Sequence, residues 1–194
     1  IQIAKWVREL GDTEFQTREA AFKNLVAAGP AALKSVQAAS KSADTETAQR
    51  ANRIIIELVD KPALALRMDL ARRRDGGPKE AGNKVITEEK EWKEWMATCS
   101  SEEVRKELSK MKVDFEKERL LVAAEGNNPC HLAKHEEAEA GIKDIVPKEK
   151  EWLVQVVRIT TDKIGGAGYP FYITRVPFVE KRIEFEIKKV NHGG

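Results

Sequence analysis

Across residues 72–84 the chain reads RRRDGGPKEAGNK, a stretch with no apolar side chain larger than alanine. Before it apolar residues recur with helical spacing, and after it they pass to the alternation and short runs of strands. One period does not serve the whole chain, so two domains are expected: an all-α segment over 1–71, a linker over 72–84, and an α+β domain with a mainly antiparallel sheet over 85–190. The 194 residues are enough for two modest cores.

In the first part, Ile3, Trp6, Val7 and Leu10 lie on one stripe of a helix that Gly11 can end. The chain then repeats at a period of 32: Asp12-Thr13-Glu14 returns as Asp44-Thr45-Glu46, Arg18 as Arg50, Phe22 as Ile54, and Val26 as Leu58. Gly29-Pro30-Ala31 returns as Lys61-Pro62-Ala63, with the proline suited to a first helical turn, where its missing N–H would lack a partner anyway. Each unit therefore reads as helix, turn, helix, with Asp12 and Asp44 capping the opening helices and Gly29 ending the first of them.

The TREAA run at 17–21 and the GPAAL run at 29–33 resemble a HEAT-type helical repeat over residues 1–70. That resemblance implies a short stack with a protein-binding surface. Arg18 and Arg50 could form a ligand ridge on it. Their recurrence at equivalent positions argues more strongly for structural arginines bonding helix termini or the capping aspartates. The run Arg72-Arg73-Arg74 reads as a solvated helix end favourable to the dipole.

Beyond the linker, residues 83–86 are expected as a strand, and Thr87 caps a helix whose inner face carries Trp92, Trp95 and Met96. Ser100 and Glu103 have capping-box spacing before a helix bearing Val104 and Leu108. The run RLLVAAE at 119–125 has the continuous apolar character of a strand covered on both faces. Residues 152–159 and 169–176 read as further strands. Ile183, Phe185 and Ile187 alternate with charged residues, as in a strand with one wet face. The glycine-rich loop at 162–168 lacks the GK[ST] ending and the following helix of a phosphate loop, so turn geometry is its expected role.

Val85-Ile86-Thr87, Trp92 and Trp95, Val113-Asp114-Phe115, Leu120-Leu121-Val122 and the run from Tyr172 through Ile173, Thr174, Arg175 and Val176 to Pro177 are together similar to the PrcB-like C-terminal domain. That family takes its name from an accessory subunit of a bacterial surface protease complex. The chain departs from it at NNPCHLAKHEEAEAG (127–141), where members carry a Gly-Gly-Tyr-like turn. The resemblance implies a non-enzymatic accessory module outside the cytoplasm, in the periplasm or cell envelope or secreted, and it carries no catalytic residues across.

The one reactive cluster lies in the departing segment: Cys130, His131, His135 and Glu139, the last three spaced to share a helical face and chemically suited to zinc. The pattern is not HExxH and has no second ligand cluster, so a solvated polar segment outweighs a metal site. A metal-dependent enzyme or metal-binding protein built on that cluster is the alternative reading. Cys99 and Cys130 fit either free thiols, the plainer reading, or one disulfide. No serine or cysteine has the surround of a nucleophile.

The net charge of +2 supplies little field for nucleic acid, and no apolar run approaches the ~20 residues of a membrane span. No cofactor motif is present. The expected function is therefore a scaffold or binding role with another protein as partner. Tyr169, Phe171, Tyr172 and Phe178 form the densest aromatic cluster. Aromatic anchors dominate interface energies, although ordinary sheet core is the plainer reading of the four, and Phe178, following Pro177 into a polar turn, is the best candidate for exposure. The chain opens at Ile1 without methionine, so any targeting segment would already have been removed and its absence says nothing about compartment, and a structural fragment of a longer polypeptide is a third reading.

Overall fold

A computed structural model describes residues 2–127, 140–161 and 168–192. Cα proximity divides the chain into two compact units, one of Ile1–Ala65 with Pro147–Glu149, the other of Leu66–Val146 with the chain from Lys150 onward.

The first unit holds α1 (Gln2–Glu9), α2 (Phe15–Ala27), α3 (Pro30–Ala39), α4 (Thr45–Ile55), a π turn (Ile56–Asp60) and α5 (Lys61–Ala65). Leu10, Leu25, Val36 and Ile54 form its core, and Ala21, Ala32, Ala39 and Ala51 between them let the helices approach closely. The Asp44 carboxylate caps α4, accepting from Glu46 N (3.3 Å) and Thr47 N (3.1 Å). Asp12 does not cap α2 in this way. It accepts from Glu14 N (2.9 Å), and Glu14 is itself the N-cap.

The expected all-α, HEAT-like domain beside a mainly antiparallel α+β domain is corrected here to a mixed α/β architecture. Within 1–71 the helices already give way to strand at Met68. Nor is the second helix–turn–helix unit formed. Gly29 breaks the first unit at φ 60°, ψ −141°, a conformation open essentially to glycine. Its counterpart at the 32-residue period is Lys61, which sits in the right-handed helical region (φ −62°, ψ −46°), so the chain runs helically from Thr45 to Ala65. Pro62 has no N–H to give the ladder, and its ring crowds the carbonyl four residues back. The helix meets this with a π turn, in which Lys61 N donates to Ile56 O.

The second unit has β1 (Met68–Arg73), β2 (Ala81–Ile86), α6 (Glu89–Ala97), α7 (Glu102–Leu108), β3 (Glu118–Glu125), β4 (Gly141–Pro147), β5 (Glu151–Thr161), β6 (Phe171–Pro177) and β7 (Arg182–His192). Two sheets replace the single one expected. The first has order β1-β6-β3-β2 with antiparallel pairs throughout. The second has order β4-β5-β7, and β5 and β7 run parallel, in unbroken register from Glu151↔Arg182 to Thr161↔His192.

Alternation explains the layering. Leu120, Val122, Ala124, Phe171 and Ile173 point to one face of the first sheet, where Trp92, Trp95, Val104 and Leu108 of α6 and α7 cover them. Trp92 stacks on Trp95 (5.4 Å between centroids), and Trp95 meets the Phe171 ring edge-on (5.8 Å). Leu121, Ala123, Tyr172, Thr174 and Val176 point the other way and are also buried. The second sheet lies there: a Cβ on Gly141 of β4 would fall 2.6 Å from the Tyr172 ring, and Arg158 of β5 donates to Asn83 Oδ1 (3.1 Å) and Ala124 O (3.2 Å). Strand β3 is thus covered on both faces, as its unbroken apolar run requires.

Residues 72–84 belong to the second unit. Asp75 Oδ1 accepts from Gly76 N (2.6 Å) and Tyr169 N (3.1 Å), and Gly77 N donates to Tyr169 O (2.9 Å). Ser100 N and Ser101 N return to the carbonyls of Gly77 and Gly76 (3.0 and 3.3 Å). Gly76, Gly77 and Pro78 are buried. The absence of apolar side chains does not make the stretch a spacer, because its backbone is what packs.

Candidate functional site

The four aromatic residues expected to cluster do not make one surface. Phe171 is buried beneath Trp95, and Tyr172, next along β6, is buried on the opposite face of the sheet. Tyr169 is half-buried, held through its backbone to Asp75 and Gly77. Phe178 alone is well exposed, at 43%, with the Arg119 guanidinium 4.2 Å from its ring centroid. That cation is itself tied to the carbonyls of Phe115 and Glu118.

In the first unit, Arg18 donates to the carbonyls of Asp12 (2.9 Å) and Thr13 (2.8 Å), while Arg50 donates to Leu10 O (3.1 Å) and pairs with Glu46. Both guanidinium groups fasten the loops that lead into helices. The cluster Cys130, His131, His135 and Glu139 lies outside the described residues, as does the glycine-rich loop up to position 167. Among the described residues no group of three or more His, Cys, Asp or Glu side chains is placed to hold a metal ion.

A varied set of polar side chains lines a cleft of about 260 Å³ between β1, β6 and the start of β4, with Arg67, Asp69, Arg72, Lys143, Tyr172 and Thr174 in its wall. Arg67 donates to Ile142 O (2.7 Å) and Lys143 O (3.2 Å) and pairs with Asp69 at 3.2 Å. Asp69 also accepts from Thr174 Oγ1 (2.6 Å). Arg72 donates to Ala140 O and lies 5.6 Å from the Tyr172 ring centroid. Three cations against one carboxylate give the cleft a positive balance. The two guanidinium groups, however, are engaged in fastening β4 to the first sheet.

The Tyr172 phenol of the cleft stays protonated at neutral pH. Burial pushes the Tyr172 phenol well above its ordinary range, and its hydrogen bond to the Glu125 carboxylate adds to the rise, while Arg72 opposes both. Asp69 is occupied by its two partners. Elsewhere in the unit, burial lifts the free thiol of Cys99 to about 11, so that it stays protonated and unreactive beneath α7.

The feature that the sequence did not reveal is a sheet edge. Strand β7 is the outer strand of its sheet and has β5 on one side. Register places Ile183, Phe185 and Ile187 opposite Trp152, Val154 and Val156, on the face those buried residues share. The β5 row is fully buried, whereas Ile187 is 43% exposed. Ile183 and Phe185 are half-buried, so the apolar row of β7 overhangs the layer that covers β5 at Ile187. The alternation in the sequence identifies the wet face of this strand but not that the strand stands at an edge.

Compared with known proteins, the chain matches no family, no curated protein and no solved structure. No helix among the described residues is long and apolar enough to cross a membrane.

Proposed function

We propose that the chain is a non-catalytic protein-recognition module whose docking edge is β7, which accepts an extended strand of polypeptide. The overhang of Ile187 beyond the covering layer carries this reading. An edge strand presents a row of N–H and C=O groups to be paired, and an apolar row beside them adds burial when a strand is added. The edge contains no proline and no bulge, two of the devices that blunt such a strand, and its charges, Glu184, Glu186, Lys188 and Lys189 among them, are of both signs and so can be matched by a complementary strand. The protonated states of Cys99 and Tyr172 fit the absence of chemistry in this reading. The similarity of residues 85–190 to the PrcB-like domain fits an accessory module of the bacterial cell envelope.

A photo-crosslinking amino acid at position 187, with one at the exposed position 93 of α6 as control, tests the proposal. Position 187 is expected to give a discrete polypeptide adduct in extracts of the source organism and position 93 none. Absence of any polypeptide adduct at 187 overturns it.

A further inference from the structure

We infer that the strand seated on β7 is β7 of a second copy of this chain, running antiparallel about a two-fold axis at Glu186. The inference rests on the protein-recognition reading and supplies its partner. Among the described residues the outer side of β7 pairs with no strand, and residues 183–190 are known in both register and exposure.

Directly opposed residues in an antiparallel pair share a face, so two-fold pairing about one residue brings apolar to apolar and charged to charged only if the sequence reads suitably in both directions. About Glu186 it does at the central positions 184, 185, 187 and 188, while farther out Ile183 meets Lys189 and Arg182 meets Val190. Glu184 opposes Lys188 of the second copy and Lys188 opposes its Glu184, which makes two ion pairs on the wet face. Phe185 opposes Ile187, also twice, on the face where Ile187 is exposed. Arg182, paired with Glu184 at 2.8 Å, adds a cation beside each of these ion pairs.

The neighbouring registers are poorer. Centring on Phe185 sets Glu184 against Glu186 and Arg182 against Lys188, all like charges. Centring on Ile187 keeps two Glu186–Lys188 ion pairs but sets Phe185 against Lys189 and Glu184 against Val190, leaving Ile187 against itself as its one apolar contact. One like-charge contact remains in the favoured register, Glu186 against itself, and Gln155 Nε2 draws that carboxylate toward its own chain at 3.0 Å. The result is one continuous sheet with three strands from each copy and both apolar rows on one side. The even spacing of opposite charges about Glu186 is what selects a second copy over an unrelated strand.

Analytical ultracentrifugation of the full chain tests this, with circular dichroism to verify that each variant is folded. The unaltered chain is expected to form a reversible dimer. Lys188→Glu and Glu184→Lys each turn two attractions into repulsions and are expected to weaken association roughly tenfold or more. The double variant Glu184→Lys/Lys188→Glu restores the pairing, and Glu186→Gln tightens it. A chain that stays monomeric, or a double variant no tighter than the single ones, overturns the inference. If the chain is monomeric while position 187 still crosslinks to a different polypeptide, the self-pairing fails and the recognition reading stands. With neither dimer nor adduct, both fail.

Discussion

At Gly77 a side chain as small as methyl has nowhere to go, because its Cβ would lie 2.5 Å from Tyr169 O and 2.7 Å from Phe171 Cδ1. Gly82, a few residues on, has no atom within 4 Å of the same position. Gly77→Ala is therefore expected to destabilise the fold by about 1–3 kcal/mol. Gly82→Ala is expected to fall within about 0.5 kcal/mol of the original chain. Urea unfolding of the two variants checks the contrast, and equal losses would show that Gly77 is not the close approach described. The same residue explains what composition conceals. Glycine and proline mark a loop in both a tether and a buried crossover, and only the bonds to Tyr169 and Ser100 tell the two apart. Those partners lie far along the chain or across a helix. The bonding of Arg18 to the carbonyls of Asp12 and Thr13 agrees with the structural reading, which rested on the recurrence of arginine at equivalent positions within the first two turns of two helices. The depth of Tyr172 was half legible: alternation put it opposite Phe171, but not under a second sheet.

Among the elements, the helices at 89–97 and 102–108 and the strands β2, β3, β5, β6 and β7 follow periods visible in the sequence, with ends displaced by a few residues. Two strands escaped. In β1 the sequence MDLARR carries three charges and reads as a helix end, and β4 follows a polar segment that draws attention to its thiol and imidazoles. Strand order is not legible either, because alternation fixes the face of a strand and not its neighbour. The internal repeat misled for a sharper reason: Gly29 and Lys61 hold equivalent places and take opposite backbone conformations. Gly29→Ala forces a positive φ on a residue with a Cβ and should cost about 1–3 kcal/mol although nothing crowds it. Lys61→Gly, in the middle of a continuous helix, should cost about 1 kcal/mol. Thermal unfolding of both variants is the measurement. Stabilisation by Lys61→Gly would mean that the helix wants to break there after all, as a true second repeat unit would.

For the whole molecule, the boundary between compact units lies at Ala65 and Leu66, ahead of the glycine-rich stretch where composition alone would put it. A chain starting at Leu66 keeps β1 and the bonds of residues 75–78, whereas one starting at position 84 loses β1, Ala81–Asn83 of β2 and the backbone seat of Tyr169. The first is expected to melt cooperatively by circular dichroism and the second to lack a cooperative transition. Equal cooperativity would return residues 72–83 to the status of a linker. The small net charge and the lack of a cofactor motif left a binding role as the reading, but the edge proposed for it depends on topology that no local pattern encodes. That topology also orders events during synthesis. Strand β6 completes the first sheet before β7 has left the ribosome, so β5 must wait with one side open while about thirty further residues are added. At ~5–20 residues per second the wait lasts roughly 2–6 s. A growing chain can be captured through Trp152, Val154 and Val156 for that interval, which closes only when residues 182–192 emerge to take their place beside β5.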